Sequence, residues 1–401
     1  MSSLIDFVQF HEVDLPARLR SGNARLAAHD VTEVGAIGFH QEGTDHSYTY
    51  VPVGDDIEIR RGTSDARTVV TIDLESFSGL VGDAETAPGL LYSDRVSCTA
   101  GSPMRFVRWE PALRAMFHGR PIYDPAAFEL RSAGGDPLDP AASFTTSDDD
   151  AAMTEFLHSA GYLHVRGVFD ADEIETMLEA AQRQQAAATP GDDRSWWGRN
   201  RSGDEVLSRV THAGSDPDLR RLYDDHRLLD LVALSEFDLT ARAGQADEGV
   251  MVLWKQPDMS EGLSDIPWHR DCGLGGHATM CPLLIVTVCL TGGGPDSGEL
   301  RMLPGSWRYS SPSIDTDDSD APQGVALDVQ PGDVTLHYSD IAHVSCPPSG
   351  RGPFRTSLLL AFVPDVETHA LSKQSYNSAL HRSSDGHVDH LRDVLEAKPT
   401  R

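Results

Sequence analysis

The sequence predicts a small α+β domain followed by a larger, mainly β domain of the sandwich or jelly-roll type, and three observations carry this prediction. Residues 48–60 and 69–74 alternate with strand periodicity. A polar, acidic stretch over 124–150, punctuated by Ser132-Ala133-Gly134-Gly135-Asp136-Pro137 and Asp139-Pro140, divides the chain. From Met251 onward, short apolar runs are separated by Gly/Pro turns, the pattern of a sandwich or jelly roll. A length of 401 residues exceeds what one core usually accommodates, so two domains are expected: 1–130 and 151–401, joined by an acidic linker over 131–150.

In chain order, Tyr48-Thr49-Tyr50-Val51-Pro52-Val53, the turn Gly54-Asp55-Asp56 and Ile57-Glu58-Ile59-Arg60 read as a hairpin, and 69–74 adds a strand. A helix is predicted over 109–117, with Leu113, Met116 and Phe117 on one face. No catalytic cluster is visible in this first domain. After the linker, Ser147 and the aspartates behind it can cap a helix carrying Met153, Phe156 and Leu157, which Gly161 ends. A strand over 162–168 follows, then a helix capped by Asp170 with Ile174, Met177, Leu178 and Ala181 at helical spacing, then a helical stretch over 218–237. Strands are predicted over 283–290, 299–303, 325–329, 333–338 and 356–363.

The net charge is -29, from 62 Asp and Glu against 33 Lys and Arg, which repels nucleic-acid phosphates and anionic lipid. A nucleic-acid role is disfavoured, and a small-molecule substrate is expected instead. Met1-Ser2-Ser3-Leu4-Ile5-Asp6 lacks a basic region followed by an apolar stretch, and no segment is long and apolar enough to span a bilayer, so a cytoplasmic protein is expected. The five cysteines, 98, 272, 281, 289 and 346, form no Cys-x-x-Cys pair and are odd in number, which fits reduced thiols.

Chemistry concentrates in residues far apart in sequence. In Trp268-His269-Arg270-Asp271, residues two apart on an extended strand point to one side, so His269 and Asp271 can bind one metal together. His343 would close the set from a later strand. Two imidazoles and one carboxylate can occupy one face of an iron(II) ion and leave the opposite positions open, as non-haem oxygenases require. Arg355 precedes the apolar run 356–363, where an unpaired cation would be costly, so it should meet an anion such as the distal carboxylate of 2-oxoglutarate. His337 and His277 are competing histidines. His343 is favoured by its His-x-Ser step and its spacing to Arg355. His381, His387 and His390 lie in a polar segment and are expected to be solvated.

An ordered set of motifs gives these residues a context: Glu155-Phe156-Leu157 with Gly161-Tyr162, the run from Met251 to Asp258, Pro267-Trp268-His269-Arg270-Asp271, the run from Ser297 to Trp307, and Gly332-Asp333-Val334 leading to His343-Val344-Ser345. Over 156–364 the chain resembles the phytanoyl-CoA dioxygenase family of iron(II)- and 2-oxoglutarate-dependent oxygenases. The resemblance implies a double-stranded β-helix, a cupin-like jelly roll with flanking helices, holding iron by His269, Asp271 and His343. It implies further that Arg355, helped by Ser345, holds the distal carboxylate of 2-oxoglutarate. Met251, Thr287 (where a relative places a tryptophan) and Arg209 would line the cosubstrate pocket. The expected reaction is hydroxylation of an unactivated C–H bond with O2 as co-oxidant and release of succinate and carbon dioxide. Halogenating relatives replace the carboxylate that Asp271 supplies. An apolar substrate is expected; acyl-CoA, steroid or terpenoid skeletons and amino acids all remain open. The first domain more faintly resembles a sterol carrier protein-like fold, through 57–62, 69–80, Gly89-Leu90-Leu91 and 113–121.

Two rival readings stand beside this one. A redox-neutral, cupin-like metalloenzyme would keep the triad and need no anion anchor. A non-enzymatic lipid carrier would draw its function from the first domain. Because every candidate site residue falls after the linker, a chain beginning near Ser147 is expected to fold and keep the site.

Overall fold

The computed structural model describes residues 4–241, 249–274, 281–312, 314, 320–364, 380 and 384–396. The N-terminal domain holds a five-stranded sheet made of β1 (Ile37–Gln41), β2 (Ser47–Val53), β3 (Asp56–Arg61), β4 (Thr68–Ile72) and β5 (Val96–Ala100), in the order β3-β2-β1-β4-β5. The predicted hairpin is β2–β3, in the register Tyr50↔Ile59. The long helix Pro103–His118 begins earlier than expected because Pro103 takes a first-turn position, where its missing N–H costs nothing. Gly119, at φ 69°, ends it. Trp109 is fully buried and donates its indole N–H to the Gly35 carbonyl at 2.8 Å, which pins the helix to the sheet.

His11 lies in the core of this domain. Its Nδ1 donates to the Phe7 carbonyl at 2.6 Å, and its Nε2 is 2.9 Å from the Tyr50 hydroxyl. Both ring nitrogens of the neutral form are thus satisfied, and burial pushes the pKa down to about 4. As pH falls from about 6.5, the unfolded chain takes up a proton that the folded domain refuses. Stability present above that pH should therefore drain away until about pH 4, by about 3 kcal/mol in all. Urea denaturation across this window should show the loss in the wild type and a flatter dependence in His11→Gln.

The C-terminal part is a double-stranded β-helix with flanking helices. Its strands are β6 (Phe144–Thr145), β7 (Tyr162–Arg166), β8 (Ser195–Asn200), β9 (Glu205–Val210), β10 (Leu239–Ala241), β11 (Met251–Trp254), β12 (Met259–Glu261), β13 (Leu284–Thr291), β14 (Leu300–Met302), β15 (Val325–Leu327), β16 (Val334–Tyr338), β17 (His343–Ser345) and β18 (Thr356–Pro364). The larger sheet runs β12-β8-β9-β11-β18-β13-β16-β7-β6, with β10 also on β18. The smaller runs β15-β14-β17. A core cluster joins the two sheets, combining Val286, Val288, Leu336 and Leu358 with Leu300, Met302 and Leu327.

The capping residues behave as polar chain chemistry dictates. Asp170 accepts from Glu173 N–H while the Glu173 carboxylate accepts from Asp170 N–H, a reciprocal box that starts the helix Ala171–Ala187. Gly161 ends the helix Asp150–Ala160 at φ 87°, where an added Cβ would sit 2.4 Å from the Trp307 ring, so close approach and backbone both demand glycine.

The cap of the helix Asp150–Ala160 is Asp149, one of the aspartates expected there, which accepts from Ala152 N–H, while Ser147 takes no part. Two expectations are corrected. The helical stretch over 218–237 divides into Pro217–Arg220, Arg221–Asp224 and His226–Ala233, because Asp225 turns extended (ψ 118°) and its side chain caps Arg227. The stretch read as a linker is mostly exposed, as expected, but it is docked on the oxygenase core at a few apolar points and does not run free. Leu130 is buried, Phe128, Leu138, Ala142 and Phe144 pack on the main core, and β6 pairs in parallel with β7. Its apolar residues, sparse among Asp, Gly and Pro, dock it, and composition alone hid them.

Candidate active site

The smaller sheet places the first ligand pair. His343 opens β17, and His269 forms an isolated bridge with it, each N–H donating to the other's carbonyl at 3.0 and 2.9 Å. Asp271 does not share a strand with His269, as the two-residue spacing had suggested; it opens a 3-10 turn, Asp271–Leu274. The turn still swings its carboxylate to the imidazoles. Asp271 Oδ1 is 3.7 Å from His269 Nε2 and 3.8 Å from His343 Nε2, and among the described residues these three side chains form the one group of ligand atoms that could hold a metal ion, all within 4.8 Å of one another.

Neighbouring groups fix which atoms face the centre. His269 Nδ1 lies 2.7 Å from the Pro267 carbonyl and His343 Nδ1 3.1 Å from the Ile341 carbonyl, so each Nδ1–H donates to backbone and leaves the Nε2 lone pair for a metal. Burial and the neighbouring imidazole push the His343 pKa well down; burial lowers that of His269 as well. Both rings are thereby kept neutral. Asp271 is held well below the usual carboxylate range: burial works against ionisation, and the surrounding histidines outweigh it. His337, the rival ligand, bonds instead through Nε2 to Asp271 Oδ2 at 3.0 Å, so one carboxylate oxygen is held and the other is turned to the triad. Two neutral imidazoles and one ionised carboxylate are the donor set that iron(II) takes.

Beside the triad lies a cluster of buried cations. Arg355, 7% exposed, donates to Ser345 Oγ, while its Nε is buried without a hydrogen-bond partner. Lys255, with no side-chain exposure, donates to the Ser345 carbonyl at 2.9 Å and to Asp265 at 2.5 Å. Burial pushes the Lys255 pKa down to about 8, further aided by Arg355. Lys255 is paired with the partly exposed Asp265, whereas Arg355 bonds to the neutral Ser345 hydroxyl and keeps an orphaned guanidinium N–H, so Arg355 fits an additional anion such as a carboxylate of 2-oxoglutarate. Lys255 sits within a motif that the sequence reading quoted, yet nothing in the sequence marked it as buried beside Arg355.

A cavity of about 430 Å³ opens on the triad. His269, Asp271, Met251 and Arg209 line it, whereas Arg355, Ser345 and Thr287 are not among its lining residues. Arg209 stacks over the Trp196 ring at 4.3 Å, and burial lowers its pKa to about 10. Thr287, half-buried on β13, is paired in register with Leu359 and Thr335. Cys272 is buried and lines the cavity. His387 is buried rather than solvated, bridging to Trp197, and His390 lines the cavity. His277 and His381 lie outside the described residues.

The two domains meet at this site through buried charges. Arg270, between two triad residues, donates to Asp340 Oδ1 and to Glu110 Oε1, each at 2.7 Å. Asp340, wholly buried, is also 3.2 Å from Arg120 and 3.6 Å from Arg114, which pairs with Asp83 at 2.7 Å. Asp340→Ala would leave these guanidinium groups short of their shared anion, a loss of about 3–5 kcal/mol. Chemical denaturation should register that drop, and Asp340→Asn, which keeps the shape, should lose somewhat less. A chain beginning near Ser147 would strip Arg270 of Glu110 and Asp340 of Arg114 and Arg120, so the structure predicts impaired folding where the sequence had suggested autonomy.

No described helix is long and apolar enough to cross a membrane. No curated protein matches the chain significantly. Among solved structures, the carbocyclase SnoK from nogalamycin biosynthesis is 19% identical, with 62% of this chain and 96% of that chain covered at a TM-score of 0.47. EctD from S. alaskensis with bound Fe is 22% identical, with 65% and 93% covered at a TM-score of 0.46. The epimerase SnoN from nogalamycin biosynthesis is 23% identical, with 54% and 83% covered at a TM-score of 0.43. The family sequence model described as phytanoyl-CoA dioxygenase (PhyH) matches residues 157–356, a span that holds β7 to β17, the triad and Arg355. That segment belongs to the phytanoyl-CoA dioxygenase family of iron(II)- and 2-oxoglutarate-dependent oxygenases, and its cofactors are iron(II) and 2-oxoglutarate.

Proposed function

We propose that this protein is a hydroxylase that oxidises an unactivated C–H bond of a small, apolar organic molecule. The observation that carries the reading is the convergence of His269 Nε2, His343 Nε2 and Asp271 Oδ1, with the second Asp271 oxygen held by His337. Iron(II) with 2-oxoglutarate, when bound, supplies dioxygen-dependent C–H oxidation with release of succinate and carbon dioxide. His269, Asp271 and His343 are assigned as the iron ligands. Arg355 would hold the distal carboxylate of 2-oxoglutarate, with Ser345 orienting the guanidinium. Met251 and Arg209, which line the cavity, and Thr287 on β13 would border the cosubstrate.

The chain's own groups define the conditions of the reaction. The neutral imidazoles offer lone pairs without first losing a proton, so metal capture at neutral pH releases few protons. The apolar cavity walls limit water at the reacting face. The presence of Asp271 as third ligand supports hydroxylation or desaturation over halogenation, since the family's halogenating members lack this carboxylate.

Anaerobic addition of iron(II) and 2-oxoglutarate should produce a weak visible charge-transfer absorption. A redox-neutral metalloenzyme or a lipid carrier would produce none. Succinate release stimulated by members of an apolar metabolite library should then identify the substrate, and release that no C–H-bearing compound stimulates would count against hydroxylation.

A further inference from the structure

The cavity above the triad is not built by the oxygenase domain alone. One wall comes from the N-terminal domain: Met104, Val107 and Pro111, at the i, i+3, i+7 spacing of one helical stripe, with Pro88 and Tyr92 from the preceding helix Ala87–Tyr92. Further lining comes from the apolar patch of Leu283, Ile285 and Ala361 around Cys272, and the triad residues His269 and Asp271 line the same cavity.

The N-terminal wall is also fixed relative to the triad. Glu110, on the helix that carries Met104, Val107 and Pro111, accepts from Arg270, the residue between His269 and Asp271. Trp109 ties the same helix to the Gly35 carbonyl. Tyr92 donates its hydroxyl to the Asp389 carbonyl at 3.1 Å and packs with Trp196, Leu380 and Val388, so N-terminal, oxygenase and C-terminal segments close around one end of the cavity. A wall held by a helix of 16 residues, a buried ion pair and a shared cluster is a rigid element, the kind that sets specificity by shape.

We propose that the N-terminal domain is the specificity wall of the oxidation site, with Met104, Val107 and Pro111 setting the size of the apolar substrate that reaches the triad. The proposal rests on the reading of the triad as the reacting centre. It gives the first domain a resident role in the site, in place of a carrier that delivers and leaves. The substrate class follows from the lining: a compact apolar skeleton that fits within a cavity of about 430 Å³.

The test uses the full-length protein and two fluorescent probes of different size, naphthalene sulfonate and the larger anilinonaphthalene sulfonate. Met104→Trp and Val107→Trp should weaken the larger probe by about tenfold or more relative to the smaller. Met104→Ala should shift the preference toward the larger probe. Arg108→Trp, on the exposed side of the same helix, should leave the ratio unchanged. Should the tryptophan variants fail to fold, Met104→Ala alone still decides. An unchanged ratio in the cavity-facing variants, or a wild type that binds neither probe, overturns the proposal. The anaerobic iron(II)/2-oxoglutarate absorption, measured on the same samples, reports separately on the reacting centre: its absence with size selection intact would sink the hydroxylase reading and leave the wall standing.

Discussion

His343→Ala is expected to lose iron and turnover together. His343 is the point where β17 meets the segment carrying His269, and its ring centroid lies 4.1 Å from that of His269. Removing the imidazole leaves one nitrogen and one carboxylate oxygen, too few to hold a facial site. His337 cannot step in at its present position, because its Nε2 is committed to Asp271 Oδ2. His269→Ala should fail in the same way. Asp271→Gly should keep some metal through the two imidazoles and lose hydroxylation. His337→Ala should be milder, costing about 10–100-fold in iron affinity, as is usual when a group that orients a ligand is removed. Metal analysis after anaerobic reconstitution and desalting, paired with succinate release, measures all four. Full iron occupancy with normal activity in His343→Ala would transfer the ligand role to His337.

The metal-competent group and part of the strands were legible because each depends on local chain chemistry. Short apolar runs between Gly/Pro turns became β13 to β16 and β18, and the His-x-Asp step followed by a distant His-x-Ser became the metal-competent group, whereas β1, β5, β8 and β9 were not read. The route from spacing to geometry was different, however. Asp271 reaches the site through a 3-10 turn, which a strand-parity argument could not distinguish from an extended pair. Gly332-Asp333 in the quoted motif turns out to be structural: Asp333 accepts from Gly167 N–H and Gln330 N–H and lies 2.9 Å from His164 Nε2. What could not be read were relations between segments far apart in the chain. The Glu110–Arg270 pair joins residues 160 positions apart, and Arg120–Asp340 joins residues 220 apart. Neither leaves a periodic or compositional mark. The same holds for the cavity, whose N-terminal wall includes Met104 and Val107, residues that precede the helix predicted over 109–117.

Arg355→Leu is expected to raise the half-saturating concentration of 2-oxoglutarate steeply while iron binding persists. The guanidinium is buried, bonds to Ser345 Oγ and retains a buried Nε–H with no acceptor, so it is poised to close on a carboxylate. A charge-assisted contact removed from such a site costs about 2–5 kcal/mol, which converts to roughly tens to thousands of fold in apparent affinity. Leucine replaces the stem's packing and removes only the charge and the donors, so the fold should survive. Iron retention should survive too, since no triad atom bonds to Arg355. Ser345→Ala should move the same constant by less, because it removes an orienting hydroxyl and leaves the cation in place. Lys255 supplies the internal control: its ammonium is already engaged by Asp265 and the Ser345 carbonyl, so Lys255→Met should cost stability before it costs cosubstrate affinity. Succinate formation titrated with 2-oxoglutarate, together with anaerobic absorption titrations, separates these effects. Unchanged cosubstrate dependence in Arg355→Leu would pass the carboxylate-binding role to Arg209, the cation that stands on the cavity side of the triad.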